Sequence, residues 1–320
     1  MSSLIPLLLA GMYVGWNIGA NDAGNCIGTS VGSGLLTFRR AALLVGSFAM
    51  LGAVLQGDRV METVGKGIVT SELSVLAITI AMACAGLFVT AATFFRLPVS
   101  TSQVIVGGIA GVGLAASARV DFSRVISIAE VWVICPILTG ILAIVINFVV
   151  SRLLRRFGSN TFWQRLPGVL LVGSAAYVSF SLGANHVGTA MGAALGPLGE
   201  LGIGPLGLGL LGGGAMAVGV LTFGRRVTGT VAGGITPLDP VSAFAAQLAA
   251  ALATHYFSIL GIPVSTSQAI VGAVLGVGLM HGIRTVRLRK IGEIAIGWVA
   301  TPLAAGVFAF LAYRLVIWLF

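Results

Sequence analysis

Charged residues are scarce in this chain of 320 residues, since Asp, Glu, Lys and Arg together make up only 8%. A soluble domain carries about 25% charged residues, so the composition excludes an ordinary soluble protein. Hydrophobic residues make up 57% of the sequence. No segment between the apolar runs is long enough for a soluble domain. We therefore expect an all-α integral membrane protein.

Cysteine is also rare, and Cys26, Cys84 and Cys135 lie far apart in apolar surroundings. They form no CxxC pair, which argues against a disulfide framework or a structural zinc site. The net charge is +9, and 16 of the 18 basic residues are arginines, mostly in short segments between apolar runs. The positive-inside rule of membrane proteins explains this charge better than nucleic-acid binding does.

Long apolar runs recur along the whole chain, each suited to crossing about 30 Å of hydrocarbon. They occupy residues 4–19, 41–55, 73–95, 125–150, 168–182, 205–223, 241–260 and 291–320. The last run is long enough to tilt or to include an interfacial segment. The sequence thus predicts transmembrane spans along the whole chain, with these runs as examples.

The chain contains an internal duplication. The segment PVSTSQVIVGGIAGVGL from Pro98 recurs as PVSTSQAIVGAVLGVGL from Pro263, with 13 of 17 positions identical. GANDAGNCIGTSVG from Gly19 corresponds to GANHVGTAMGAALG from Gly183, and two further blocks repeat at offsets of 166 and 167 residues. Such a near-constant offset predicts two transmembrane repeats, residues 1–155 and 160–320.

The basic residues indicate that the two repeats are inverted in the membrane. No charge precedes the first span of the first repeat, whereas four arginines lie between residues 151 and 165, before the first span of the second. If this linker and the basic loop 284–290 are both cytoplasmic, corresponding segments lie on opposite sides. We therefore predict inverted-topology repeats in the cell (plasma or inner) membrane, with both termini outside.

The two PVSTSQ motifs are expected to begin short helices inside the membrane, because proline suits the first helical position. Residues 103–118 and 268–280 are short for a full crossing, so half-helices or re-entrant segments should accompany the full spans. Hydroxyl and N–H groups at a helix N-terminus bind anions. The substrate-binding candidates are Ser100, Thr101, Ser102, Gln103, Ser265, Thr266, Ser267 and Gln268, with Asn21 and Asn185. Alternatively, the two glutamines could form hydrogen bonds to a neighbouring helix and not contact the substrate.

The two GAN motifs place oxygen atoms at membrane depth, and we expect irregular backbone there. Oxygen-only ligand sets suit hard cations such as Na⁺, and an intramembrane carboxylate is functional by default. The cation-binding or coupling candidates are Asn21, Asp22, Asn25, Thr29, Asn185, His186 and Thr189. The glycines in 107–113 and 207–214 instead predict close helix contacts. Apart from bound Na⁺, no cofactor or metal is expected.

These paired motifs, with VMETVGKGI at 60–68, resemble the inorganic phosphate transporter (PiT) family over essentially the whole chain. The resemblance implies secondary transport of phosphate, or in some branches sulfate, coupled to Na⁺ or H⁺, with the substrate bound between inverted repeats. Two departures stand out. His186 occupies the usual position of a second Asp, where it could carry a proton. Both PVS motifs continue as Thr-Ser-Gln, where the family often has Thr-Thr-His.

These features favour a symporter of a tetrahedral oxyanion, either phosphate or sulfate, over an anion channel or an enzyme. Nothing in the sequence argues for a continuous polar pore. No HExxH motif, paired intramembrane carboxylates or Ser-His-Asp set indicates catalysis. The expected partners are the oxyanion, Na⁺ or H⁺, the bilayer and a second copy of the chain, since dimers are common among such transporters; nucleic acid is not expected.

Overall fold

The computed structural model describes residues 4–32, 34–95, 99–157, 161–231, 238–280, 282 and 288–319. These ranges are almost entirely helical, and within them the only β-type pairing is an isolated bridge between Val69 and Val120. Seven of the described helical segments are long and apolar enough to cross a membrane. The prediction of an all-α integral membrane protein is therefore confirmed.

Each repeat contributes five corresponding helices, with short helices between them. The first holds α1 Leu4–Gly32, α2 Phe38–Gln56, α3 Asp58–Glu62, α4 Val75–Phe94, α5 Thr101–Ala115 and α6 Phe122–Phe157, with a π-helical turn at Thr63–Gly67. The second holds α7 Thr161–Leu182, α8 Gly188–Gly192, α9 Leu195–Gly199, α10 Pro205–Val231, α11 Pro240–Ile259, α12 Thr266–Met280 and α13 Leu288–Leu319, with a π-helical turn at Gly183–Val187. Helices α1, α2, α4, α5 and α6 correspond in sequence to α7, α10, α11, α12 and α13.

Seven of the eight predicted spans coincide with candidate membrane-crossing segments. The eighth run, 241–260, forms α11, which is 20 residues long but is not among those segments. Polar residues lower its hydropathy, and most of its side chains are buried in the protein rather than facing lipid. One of them, Gln247, donates from Nε2 to the carbonyl oxygen of Cys26 at 2.9 Å. Helix α11 is therefore a central helix of the bundle.

Helices α5 and α12 each pack against the last helix of the other repeat. A Cβ atom at Gly107 of α5 would lie 2.2 Å from the carbonyl oxygen of Pro302 in α13. At Gly272 of α12 it would lie 2.1 Å from the carbonyl oxygen of Pro136 in α6. Only glycine permits this approach, which confirms the close helix contacts predicted for residues 107–113.

The directions of these helices give the inverted arrangement. Along α5, Gly107 packs on Pro302 and Gly111 packs on Gly306, so α5 runs parallel to α13. The equivalent contacts make α12 parallel to α6. Helix α6 begins just after α5 ends and runs away from that side of the membrane. Because α12 is parallel to α6, α12 also runs away from the side at which α5 ends. The two half-helices therefore point in opposite directions, with their N-termini inside the protein. At 15 residues, each is about 22 Å long and too short to cross.

The prediction of irregular backbone in the first GAN motif is wrong, because α1 continues without interruption to Gly32. The segment contains no proline, and helical hydrogen bonds are the partners most readily available to backbone groups at membrane depth. This gain exceeds the helix penalty of about 1 kcal/mol for each glycine. Only the second motif departs from the α-helix, in the π-helical turn Gly183–Val187.

Candidate functional site

Asp22 lies at the centre of the candidate site and is 1% exposed. Thr101 donates from Oγ1 to Asp22 Oδ2 at 2.7 Å, and Ser267 donates from Oγ to Asp22 Oδ1 at 3.3 Å. Thr101 begins α5 and Ser267 lies in the first turn of α12. One buried carboxylate therefore joins the N-termini of the two opposed half-helices.

Ser100 and Ser265 cap these half-helices. The hydroxyl oxygen of Ser100 accepts from the backbone N–H of Gln103 at 3.3 Å, and that of Ser265 accepts from the backbone N–H of Gln268 at 3.2 Å. These contacts confirm the predicted positions at the helix N-termini. The N–H groups of a first helical turn have no acceptor within the helix, so both termini can offer donors and positive dipole ends to an anion.

His186 reaches the same place from the π-helical turn Gly183–Val187. Its Nε2 atom lies 3.9 Å from Asp22 Oδ2 and 3.4 Å from Ser102 Oγ, and the side chain is 1% exposed. Ser102 donates to the carbonyl oxygen of Val264 at 2.7 Å. This bond ties α5 to the chain segment that leads into α12. The site therefore contains one acidic and one imidazole side chain, contributed by equivalent positions of the two repeats.

Asn185 holds the segment before α12 in place. It donates from Nδ2 to Ser258 Oγ at 3.1 Å and to the carbonyl oxygen of Ile262 at 3.0 Å. Its Oδ1 atom accepts from the backbone N–H of Val264 at 3.0 Å. Both ends of the amide are thus occupied by protein partners. Asn185 therefore positions the segment before α12, and its role as a ligand stays a prediction.

Asn21, the equivalent residue of the first repeat, has a different environment. It donates from Nδ2 to Thr93 Oγ1 at 2.9 Å, but its Oδ1 atom has no hydrogen-bond partner among the described residues. A buried amide oxygen without a partner is costly unless another group binds it. Asn21 therefore supplies an acceptor oxygen beside Asp22 in the sequence, of the kind that a hard cation requires.

Thr93 and Ser258 were not among the residues predicted for the site. They bind Asn21 and Asn185 respectively, from α4 and α11. Their separation of 165 residues equals the offset of the PVSTSQ repeat. A search for hydroxyl residues recurring at this offset would have found them.

Three other candidates of the GAN motifs do not contribute a described contact with Asp22. Thr189 donates from Oγ1 to the carbonyl oxygen of Asn185 at 2.9 Å, a bond within its own helical segment. Asn25 and Thr29 lie on the helical backbone of α1, and their side chains fall outside the described residues. Their roles as cation ligands stay predictions.

Gln103 and Gln268 line an apolar cavity of about 780 Å³ between α6, α12 and α13. Trp132 and Trp298, from equivalent positions in the two repeats, also line it. The Oε1 atom of each glutamine lacks a hydrogen-bond partner among the described residues. None of the described hydrogen bonds connects either side chain to Asp22, so their binding of substrate stays a prediction.

The chemistry of the site suits a hard cation beside an anion. Within the described residues, no group of three or more His, Cys, Asp or Glu side chains could hold a transition metal. The site instead offers the carboxylate of Asp22, the amide oxygen of Asn21 and the hydroxyl groups of Thr101 and Ser267. Oxygen ligands of this kind fit Na⁺, and the two helix N-termini fit an oxyanion.

Comparison with known proteins confirms the family resemblance found in the sequence. The phosphate transporter family matches it twice, over residues 18–167 and 159–309. The inorganic phosphate transporter 2-1, chloroplastic, of Arabidopsis thaliana is 28% identical over 92% of this chain and 69% of its own length. A putative phosphate permease of Chlamydia muridarum is 28% identical over 98% of both chains.

A solved structure described as the sodium-dependent phosphate transporter superposes with a TM-score of 0.89 and 27% sequence identity, and covers 100% of both chains. The double family match agrees with the two repeats seen in the sequence and in the helix packing. Because these matches extend over nearly the whole sequence, this multi-pass membrane protein belongs to the phosphate transporter family.

Proposed function

We propose that this protein is a secondary symporter that carries inorganic phosphate across a cell membrane together with Na⁺. The main support is the meeting of two opposed half-helix N-termini at the buried carboxylate of Asp22. Helix N-termini attract an oxyanion, whereas a carboxylate attracts a cation. A site that offers both at one place suits the simultaneous binding of phosphate and Na⁺.

A co-transported cation is needed on energetic grounds. Moving one elementary charge across the membrane against a potential of 100 mV costs about 2.3 kcal/mol. None of the described hydrogen bonds of Asp22, Thr101 or Ser267 involves Lys or Arg. The carboxylate of Asp22 would repel an oxyanion unless a bound cation separated them. Na⁺ at Asp22 therefore both balances the charge locally and supplies the driving force.

Phosphate fits this site better than sulfate. Near neutral pH phosphate carries a proton and can donate a hydrogen bond, whereas sulfate can only accept. The site contains acceptors, namely the two carboxylate oxygens of Asp22 and the amide oxygen of Asn21, which has no hydrogen-bond partner among the described residues. Phosphate can donate to an oxygen that the cation does not occupy, whereas sulfate has no proton to donate. We therefore propose phosphate as the substrate and make sulfate an outcome of the test.

We further infer the orientation in the cell membrane. Leu35, just after α1, packs near Gly168 of α7, so α1 ends on the side at which α6 ends and α7 begins. That side carries Arg39, Arg40, Arg155 and Arg156. By the positive-inside rule it faces the cytoplasm. Helix α1 begins and α13 ends on the opposite side, which supports the proposal that both termini lie outside.

Uptake by the purified protein in liposomes tests this function. Labelled phosphate and labelled sulfate would each be offered with an inward Na⁺ gradient, an inward proton gradient or a choline gradient. We expect saturable phosphate uptake that requires Na⁺. Asp22→Asn should abolish it, whereas Asp58→Asn, which changes an exposed acid at the start of α3, should not.

Other outcomes would contradict the proposal. Sulfate uptake without phosphate uptake would assign the other oxyanion, and a response to protons alone would assign the other coupling ion. Uptake that does not saturate and ignores all cation gradients would indicate an anion channel.

A further inference from the structure

The two halves of the site are related by the internal repeat but differ in one functional group. Positions that correspond at an offset of 164 or 165 residues can be compared directly. The pairs are Asp22 with His186, Thr101 with Thr266, and Ser102 with Ser267. The hydroxyl groups are the same in both halves, and the carboxylate is present in only one.

This exchange leaves a hydroxyl group of the second half without an acceptor. In the first half, Thr101 donates to Asp22 at 2.7 Å. The equivalent Thr266 is 0% exposed, and its Oγ1 atom has no hydrogen-bond partner among the described residues. The Nδ1 atom of His186 also lacks a partner there. The second half therefore keeps the threonine of a carboxylate site although the carboxylate is absent.

We propose that cation binding in this protein is one-sided: the half of the site around Asp22 binds a single Na⁺, and the half around His186 and Thr266 binds none. The proposal rests on the coupling to Na⁺ proposed above. The asymmetry of the buried oxygen ligands is the observation that carries it.

The physical reason lies in the cost of removing Na⁺ from water. A buried cation needs a compensating negative charge or a full set of oxygen ligands. The second half offers an imidazole, which suits transition metals rather than hard cations, and a neutral hydroxyl. Its asparagine oxygen is occupied by the backbone N–H of Val264. The first half offers the carboxylate of Asp22 and the amide oxygen of Asn21, which accepts no hydrogen bond from the described residues.

The number of bound cations can be measured without transport. Thermal stability of the purified full-length chain in detergent, without phosphate, would be followed against Na⁺ concentration at constant ionic strength. Above the dissociation constant, the slope of unfolding free energy against the logarithm of Na⁺ concentration is proportional to the number of cations bound. We expect His186→Asp to raise this slope about twofold by restoring the second carboxylate, and His186→Asn to leave it unchanged.

A matched pair of threonine variants makes the test specific. Thr101→Val removes a hydroxyl from the half that binds Na⁺ and should raise the Na⁺ concentration needed for half of the stabilisation. Thr266→Val should leave the Na⁺ response of the unmodified chain unchanged. In the His186→Asp background, however, Thr266→Val should weaken the added Na⁺ binding, because the restored carboxylate gives this hydroxyl an acceptor.

Three results would overturn the proposal: an unmodified chain that already shows the slope of two cations, a folded His186→Asp protein with an unaltered slope, or an unmodified chain whose Na⁺ response depends on Thr266. If His186→Asp does not fold, the Thr101 and Thr266 variants of the unmodified chain still decide the matter. Failure of phosphate uptake with a one-cation response would refute the symport function and leave the one-sided site standing.

Discussion

Asn21 and Asn185 occupy equivalent positions in the two repeats. Replacement by alanine should mainly lower stability at Asn185 and mainly weaken Na⁺ binding at Asn21. Among the described residues, the side chain of Asn185 makes three hydrogen bonds, whereas that of Asn21 makes one and its Oδ1 atom has no partner. An interhelical hydrogen bond in a membrane protein contributes about 0.6 kcal/mol on average. Asn185→Ala should therefore cost about 2 kcal/mol of stability and Asn21→Ala about 0.6 kcal/mol. The first value corresponds to a change of about 30-fold in the folding equilibrium.

The functional readout should rank the two variants in the reverse order. Asn21→Ala removes a proposed Na⁺ ligand, so the Na⁺ concentration for half-maximal phosphate uptake should rise about tenfold, as for the loss of about 1.4 kcal/mol of binding. Asn185→Ala should lower the thermal midpoint while the protein that remains folded keeps its Na⁺ requirement. Thermal unfolding in detergent and uptake against Na⁺ concentration measure the two effects. Equal losses of stability, or a raised Na⁺ requirement only for Asn185→Ala, would refute the reasoning.

Three further substitutions and one control test the packing and the anion site. Gly107→Val should impair folding, since even a Cβ there would lie 2.2 Å from the carbonyl oxygen of Pro302. Gly173→Ala should be tolerated, because an added Cβ at this position has open space around it. Protein yield and the thermal midpoint compare the two variants. Ser267→Val should raise the phosphate concentration for half-maximal uptake, and an unchanged value would argue against binding at the α12 N-terminus. Gln268→Leu should raise that concentration by more than about twofold, because Gln268 is a predicted substrate ligand whose Oε1 atom has no partner among the described residues. A smaller effect in the same uptake assay would assign the side chain only to the apolar cavity that it lines.

The sequence predicted the half-helices well because their signals are local. A proline followed by hydroxyl residues specifies a helix start, and Ser100 and Ser265 are indeed found as caps. Because the motif occurs twice, the helix start predicted for one copy was predicted for the other as well. The glycines at 107 and 111 were likewise correctly assigned to close helix contacts, because small residues in apolar helices have few other uses.

The sequence failed where the outcome depends on tertiary surroundings. The glycines and polar residues after Gly19 suggested a break in α1, but the helix continues because surrounding protein and the bilayer both favour internal backbone pairing. The different environments of Asn21 and Asn185 were also beyond prediction. The two residues share a motif. Only the folded structure shows that the backbone N–H of Val264 donates to the amide oxygen of Asn185, whereas the amide oxygen of Asn21 has no partner within the described part of the chain.

The packing of each half-helix on the other repeat has a consequence for how the protein is made. Helix α5 finds its partner surface on α13, almost two hundred residues later in the chain. During synthesis the first repeat therefore enters the membrane before α13, which packs on the glycine face of α5, has been made. Contacts so distant in sequence close late and slowly. The buried carboxylate of Asp22 likewise acquires its bond from Ser267 only after α12 has been inserted. The candidate site is thus completed only when residues of both repeats are in the membrane.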